Sequence, residues 1–97
     1  MAIPLRKFAA QCVQVAIEGG KITETSSSRV SLYEISRKWR ELYDATSFQS
    51  QSVEGWTEKE VAAAEVIIAS LTFLERIGCK NVEQLLKQTL EQLSSKQ

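Results

Sequence analysis

The chain contains no histidine. That absence removes the commonest general base and the commonest transition-metal ligand together, so any catalysis would fall to carboxylates, lysine, tyrosine or cysteine. Cysteine is scarce as well. The two present, Cys12 and Cys79, stand in no Cys-x-x-Cys spacing and make no zinc site without histidine. They read as reduced thiols, Cys12 a small core residue and Cys79 the more exposed of the two. No charge dominates: twelve basic and twelve acidic residues cancel, which excludes the broad electrostatic footprint of a nucleic-acid or membrane-surface binder. Long apolar runs are missing too. The longest, Val61 to Leu74, is broken by Glu65, Ser70 and Thr72 and is too short to span a bilayer. The start, Met1 to Lys7, leads into a pattern interrupted by Gln11 and Gln14 and does not read as a signal peptide. A soluble, cytoplasmic protein is expected, with no membrane contact.

Proline occurs once and glycine four times, and most of them fall where helices begin or end. Pro4 suits a first helical turn, where its missing N–H costs nothing, and Gly19-Gly20 can close that helix. The first helix is expected over Pro4–Glu18, with Leu5, Phe8, Ala9, Cys12, Val15 and Ala16 on its apolar face. A polar stretch from Gly20 to Val30 reads as a loop with a mobile tip and a short extended piece at Ile22. The second helix, Ser31–Asp44, opens on a capping box of Ser31 with Glu34. Its Leu32, Ile35, Trp39, Leu42 and Tyr43 share an arc of about 120°, while Glu34, Arg37, Lys38, Arg40, Glu41 and Asp44 fill the other side. A second loop, Ala45 to Trp56, carries Phe48 and Val53 as candidate anchors. The third helix, Thr57–Ile77, opens on the box Thr57 with Glu60 and stops at Gly78. Asn81 caps the fourth, Asn81–Leu93, whose face is Val82, Leu85, Leu86, Leu90 and Leu93. So short a connection as Gly78-Cys79-Lys80 predicts an antiparallel hairpin of the last two helices, and residues 94–97 are expected to fray.

The third helix is the informative one, because its apolar residues cover roughly 220° of the circumference, well beyond the ~100° stripe of an ordinary surface helix. One neighbour cannot cover so wide an arc. The expected fold is therefore all-α, one four-helix bundle-like domain over residues 1–97 with a central, mostly buried third helix, made oligomeric by its surplus apolar surface. At 97 residues, folding buries ~60–70% of the unfolded chain's surface, so association would add needed burial. The core is expected to hold Leu5, Phe8, Cys12, Leu32, Ile35, Trp39, Leu42, Val61, Ile67, Ile68, Leu71, Leu74, Leu86 and Leu90. Val66, Phe73 and Ile77, with Trp56 at the hinge into the third helix, are the candidate binding residues. Trp56 also reads as a staple against Val61.

Other chemistry is thinner. Arg37, Lys38 and Arg40 form a basic cluster beside Trp39 and Tyr43, but Glu34–Lys38, Arg37–Glu41 and Arg40–Asp44 are i,i+4 pairs through which the helix neutralises itself. Nucleic acid is not the expected partner. No catalytic residue is assigned.

The order of elements resembles the MazG-like, all-α nucleotide pyrophosphohydrolases over roughly Ser31 to Leu93. The likeness is carried by Glu65 entering a long apolar helix that ends Glu75-Arg76-Ile77-Gly78, then by Asn81-Val82-Glu83-Gln84-Leu85-Leu86. That resemblance implies Mg²⁺ held by two acidic pairs and hydrolysis of nucleoside triphosphates to monophosphates and pyrophosphate. By position Glu34, Glu41 and Glu65 would be the metal ligands. The chain departs from the pattern with Arg37 three residues after Glu34 and Ala62 three before Glu65, and three isolated carboxylates are few for a hard cation. Two functions are therefore carried forward. One is an interaction protein acting through self-association or partner docking, without catalysis or cofactor. The other is a divergent pyrophosphohydrolase using Mg²⁺, its missing ligands supplied by a second subunit or by further acids such as Glu54 and Glu58.

Overall fold

A computed structural model describes residues 4–23 and 26–95. Residues 24 and 25, at the expected mobile tip, and residues 96 and 97 lie outside the described residues, as do residues 1–3. Helix α1 spans Leu5–Glu18, α2 Ser28–Asp44, α3 Glu58–Arg76 and α4 Val82–Ser95. Among the described residues there is no strand, only an isolated antiparallel bridge between Gln49 and Thr57. The fold is all-α and bundle-like, with α3 at the centre, packed against both α2 and α1.

Local chemistry sets each boundary. Pro4 occupies the N-cap of α1, its carbonyl accepting from Phe8 N–H at 3.0 Å. Thr57 and Glu60 form the expected capping box, Thr57 Oγ1 accepting from Glu60 N–H at 3.2 Å and the Glu60 carboxylate from Thr57 N–H at 3.0 Å. Asn81 Oδ1 accepts from Gln84 N–H at 3.1 Å to open α4, which runs through Ser95 rather than fraying from residue 94. Helix α2 starts a turn earlier than expected. Ser27 is its cap, accepting from Arg29 N–H, and Ser31 is carried inside the helix instead of capping it. Capping at Ser27 in place of Ser31 adds about another turn of helix.

The densest packing joins Ala9 and Cys12 of α1, Leu71 of α3 and Val82 of α4, with Leu5, Phe8, Leu74 and Cys79 around them. Small residues do much of the burying: Ala62 and Ala69 are also closed off from solvent. The expected α3–α4 hairpin does not form. Gly78, at φ +88°, turns the chain so that Val82 enters the core beside α1, and Leu5 N–H donates to the Glu83 carboxylate at 2.9 Å. Among the described residues, α4 packs on α1 and does not run back along α3.

The long loop before α3 is held by hydrogen bonds rather than by apolar anchors. Ser50 N–H donates to Trp56 O at 2.8 Å and Glu58 N–H to Phe48 O at 2.9 Å, while the buried Ser50 hydroxyl accepts from Ser52 and Val53 N–H. Phe48 and Val53 themselves are exposed.

Candidate functional site

Helix α2 meets α3 through a different face from the apolar arc. The line Ser31, Glu34, Ile35, Lys38, Leu42 and Ala45 is the shielded one, whereas Leu32, Trp39 and Tyr43 remain exposed, Trp39 at 57% and Tyr43 at 78%. Electrostatics accounts for the turn. Glu65 stands on the α3 surface that receives α2, and Lys38 reaches it with Nζ 2.7 Å from the carboxylate. Lys38 also lies 3.5 Å from Glu41, and Glu34 accepts from Arg37 at 2.6 Å with Lys21 at 3.6 Å. These i,i+3 and interhelical pairs stand where i,i+4 pairs were expected; Glu34 lines the space between α1 and α2, while Glu41 stays exposed.

These contacts shift the groups involved. The hydrogen bond from Arg37 holds the Glu34 carboxyl below its usual range against partial burial, and the Arg37, Lys21 and Lys38 charges act in the same direction. Burial pulls Lys38 down, but its hydrogen bond and charge contact with Glu65, helped by Glu41 and Glu34, outweigh that and leave it above its ordinary value. Burial also pushes the Cys12 thiol up, which suits a core residue and not a nucleophile.

The sides of the α2–α3 pair follow from the helical repeat. A cleft of about 280 Å³ lies between α1 and α2 over α3, lined on α2 by Val30, Ser31, Glu34 and Lys38 and on α3 by Glu65, Ile68, Ala69 and Thr72. On α2, Leu32, Trp39 and Tyr43 lie about 100° from the contact line with α3, in the sense opposite to Val30 and Glu34. On α3, Val66, Phe73 and Ile77 lie about 20–60° from Ala62, away from Glu65, Thr72 and Ile68. Both sets therefore look out on the side away from the cleft. There they make one apolar face, on which Trp39 and Tyr43 pack with ring centroids 5.8 Å apart.

Of the candidate binding residues, Ile77 is exposed and Val66 and Phe73 are half-buried, all three on this side of α3 by the helical repeat. Trp56 lies elsewhere, exposed on the cleft side on a shelf shared with Val53, Val61, Ala64 and Ile68. Leu32 and Trp39, expected in the core, are part of the uncovered face, and Ile67, Ile68, Leu86 and Leu90 are exposed as well.

The acids implied by the resemblance lie near one another without enclosing a common point. Glu34 and Glu65 line the cleft, and Glu41 and Glu65 line a second hollow with Glu58. Among the described residues, no group of three or more acidic or cysteine side chains is placed to hold a metal ion. As they stand, Glu34 is compensated by Arg37 and Lys21 and Glu65 by Lys38.

No family model, curated protein or solved structure matches this chain. Function is therefore read from its geometry. Among the described residues no helix is long and apolar enough to cross a membrane. The accessible surface is 7600 Å², against ~5,600 Å² for a compact monomer of this mass. The radius of gyration is 14.6 Å, against ~12.5 Å for this length. The excess, on the order of 2,000 Å², is what uncovered helical faces leave behind.

Proposed function

We propose that this chain is a small, soluble, cytoplasmic interaction protein that acts by docking through the apolar face of α2 and α3, without catalysis of its own. The observation that carries this reading is the exposure of Leu32, Trp39, Tyr43 and Ile77, which the helical repeat puts on one side of the helix pair. Apolar patches of this kind on a monomer mark contact surfaces, and tryptophan and tyrosine are the side chains most enriched at binding hot spots. Photo-crosslinking in cells tests it. A photoreactive residue replacing Trp39 or Ile77 should give a discrete adduct, and one replacing the exposed loop residue Gln51 should give none. Equal labelling at all three sites, or none at any, would remove the reading. The adduct's mass separates self-association from docking of another protein.

A second reading, the divergent pyrophosphohydrolase, draws support from Glu34 and Glu65 facing a cleft rather than open solvent. Its test is a thermal-shift scan with nucleoside triphosphates, each with and without Mg²⁺ or Mn²⁺. A ligand at a hundred times its dissociation constant stabilises by ~2.7 kcal/mol. A shift requiring both metal and nucleotide would favour this reading, and no shift would dismiss it.

A further inference from the structure

Helix α4 is held by its first turn. Val82 is closed into the core and Glu83 accepts from Leu5 N–H, but beyond that turn the helix carries a row of uncovered leucines: Leu86 is 46% exposed, Leu90 66% and Leu93 59%. Spaced by three and four, they form a single stripe. An amphipathic helix with nothing against its apolar side is one half of a helix-in-groove contact, and the α2–α3 face is an apolar surface that lacks its helix.

The two cannot meet within one chain. Val82 packs beside Leu71, roughly 120–160° round α3 from Val66, Phe73 and Ile77, and five residues, 77–81, connect the helices. A second copy brings them together. The uncovered stripe from Leu86 to Leu93 is ~10 Å long and the α3 face from Val66 to Ile77 ~17 Å, so one α4 covers the larger part of that face. Each chain offers one stripe and one face, so a twofold axis satisfies both at once and leaves no open end, as a closed symmetric dimer requires. The surface is in keeping with this: the chain exposes ~2,000 Å² more than a compact monomer of its mass, against the ~800 Å² each partner contributes to a standard stable interface.

We infer that the occupant of the α2–α3 face is α4 of a second copy of this chain, exchanged reciprocally in a twofold dimer. The inference rests on the docking reading above and names its partner. Sedimentation of the purified full chain tests it, with helicity followed by circular dichroism. The wild type should have twice the chain mass. The double variant L90E/L93E alters side chains outside the core and should stay helical, with dimerisation weakened about a hundredfold or more. W39E should do the same from the other side. Mixing the two variants should restore part of the dimer, because the intact α4 of one meets the intact face of the other.

A wild type that stays monomeric, or an L90E/L93E variant that dimerises as the wild type does, overturns the exchange. The docking reading is judged separately by the crosslinks at residues 39 and 77. Adducts there to a different protein sink the dimer and keep the docking, whereas absence of adducts sinks both.

Discussion

Lys38 shows how one side chain can set the orientation of a helix. Its side chain is 12% exposed, and its ammonium is compensated by Glu65 on the opposing helix and Glu41 on its own. Replacing Glu65 by Gln removes the nearest charge and leaves a shielded cation with a weaker acceptor. The expected loss is about 1–2 kcal/mol, and with ~4–8 °C per kcal/mol for a domain of this size it is measurable by thermal melting. Because Lys38 has its pKa raised by folding, its contribution is fully present below its unfolded value near ~10.4. It fades as pH rises through the folded value, so the wild-type advantage should hold at neutral pH and shrink in strong alkali. Arg37→Ala should behave in the opposite sense. The Glu34 carboxyl is lowered by folding, so its stabilisation is present above ~4.3 and is lost as pH falls through the folded value. For this solvent-screened pair the difference should be small and should converge in acid.

The helices themselves were legible in the sequence, because caps and breakers act locally. Pro4, the Thr57–Glu60 box and Asn81 sit where those residues place them, and the cluster of Leu5, Phe8, Cys12, Leu71 and Leu74 follows from the helical repeat. The rotation of α2 and the path of α4 were not legible. Periodicity says which residues share a face but not which of two faces a neighbour takes, and here the Lys38–Glu65 pair selects the charged side while Leu32, Trp39 and Tyr43 stay out. A short linker likewise implies proximity and not direction. Gly78 provides the direction: it adopts φ +88°, and a side chain there would meet no atom within 4 Å, so the cost of Gly78→Ala is conformational. It should destabilise by about 1–2 kcal/mol, read by denaturant unfolding, with the larger effect on the attachment of α4. Leu71 anchors that same junction and is 4% exposed. Leu71→Ala should therefore cost 2–5 kcal/mol, on the order measured for buried leucines, and a cost below ~1 kcal/mol would mean the core lies elsewhere.

At the scale of the molecule, the fully buried apolar side chains are few and small, while the larger ones, Trp39, Trp56, Tyr43, Leu90 and Leu93, are exposed. A chain so arranged gains little from folding alone at ~0.05–0.15 kcal/mol per residue of net stability, and burying its leucine stripe and aromatic face on association would add to that directly. Stability and association should therefore be one equilibrium, with the folded pair favoured by mass action. The melting temperature should rise with protein concentration, and over the same range the tryptophan emission should move to the blue as Trp39 leaves water. Trp56, on the other side of α3, should keep its exposed emission, so the shift should be abolished by Trp39→Phe in melts followed by fluorescence and retained in Trp56→Phe. A melting temperature independent of concentration over two decades would mean that the exposed face contributes nothing to folding, and that the leucine stripe of α4 stays uncovered in solution as it is in the single chain.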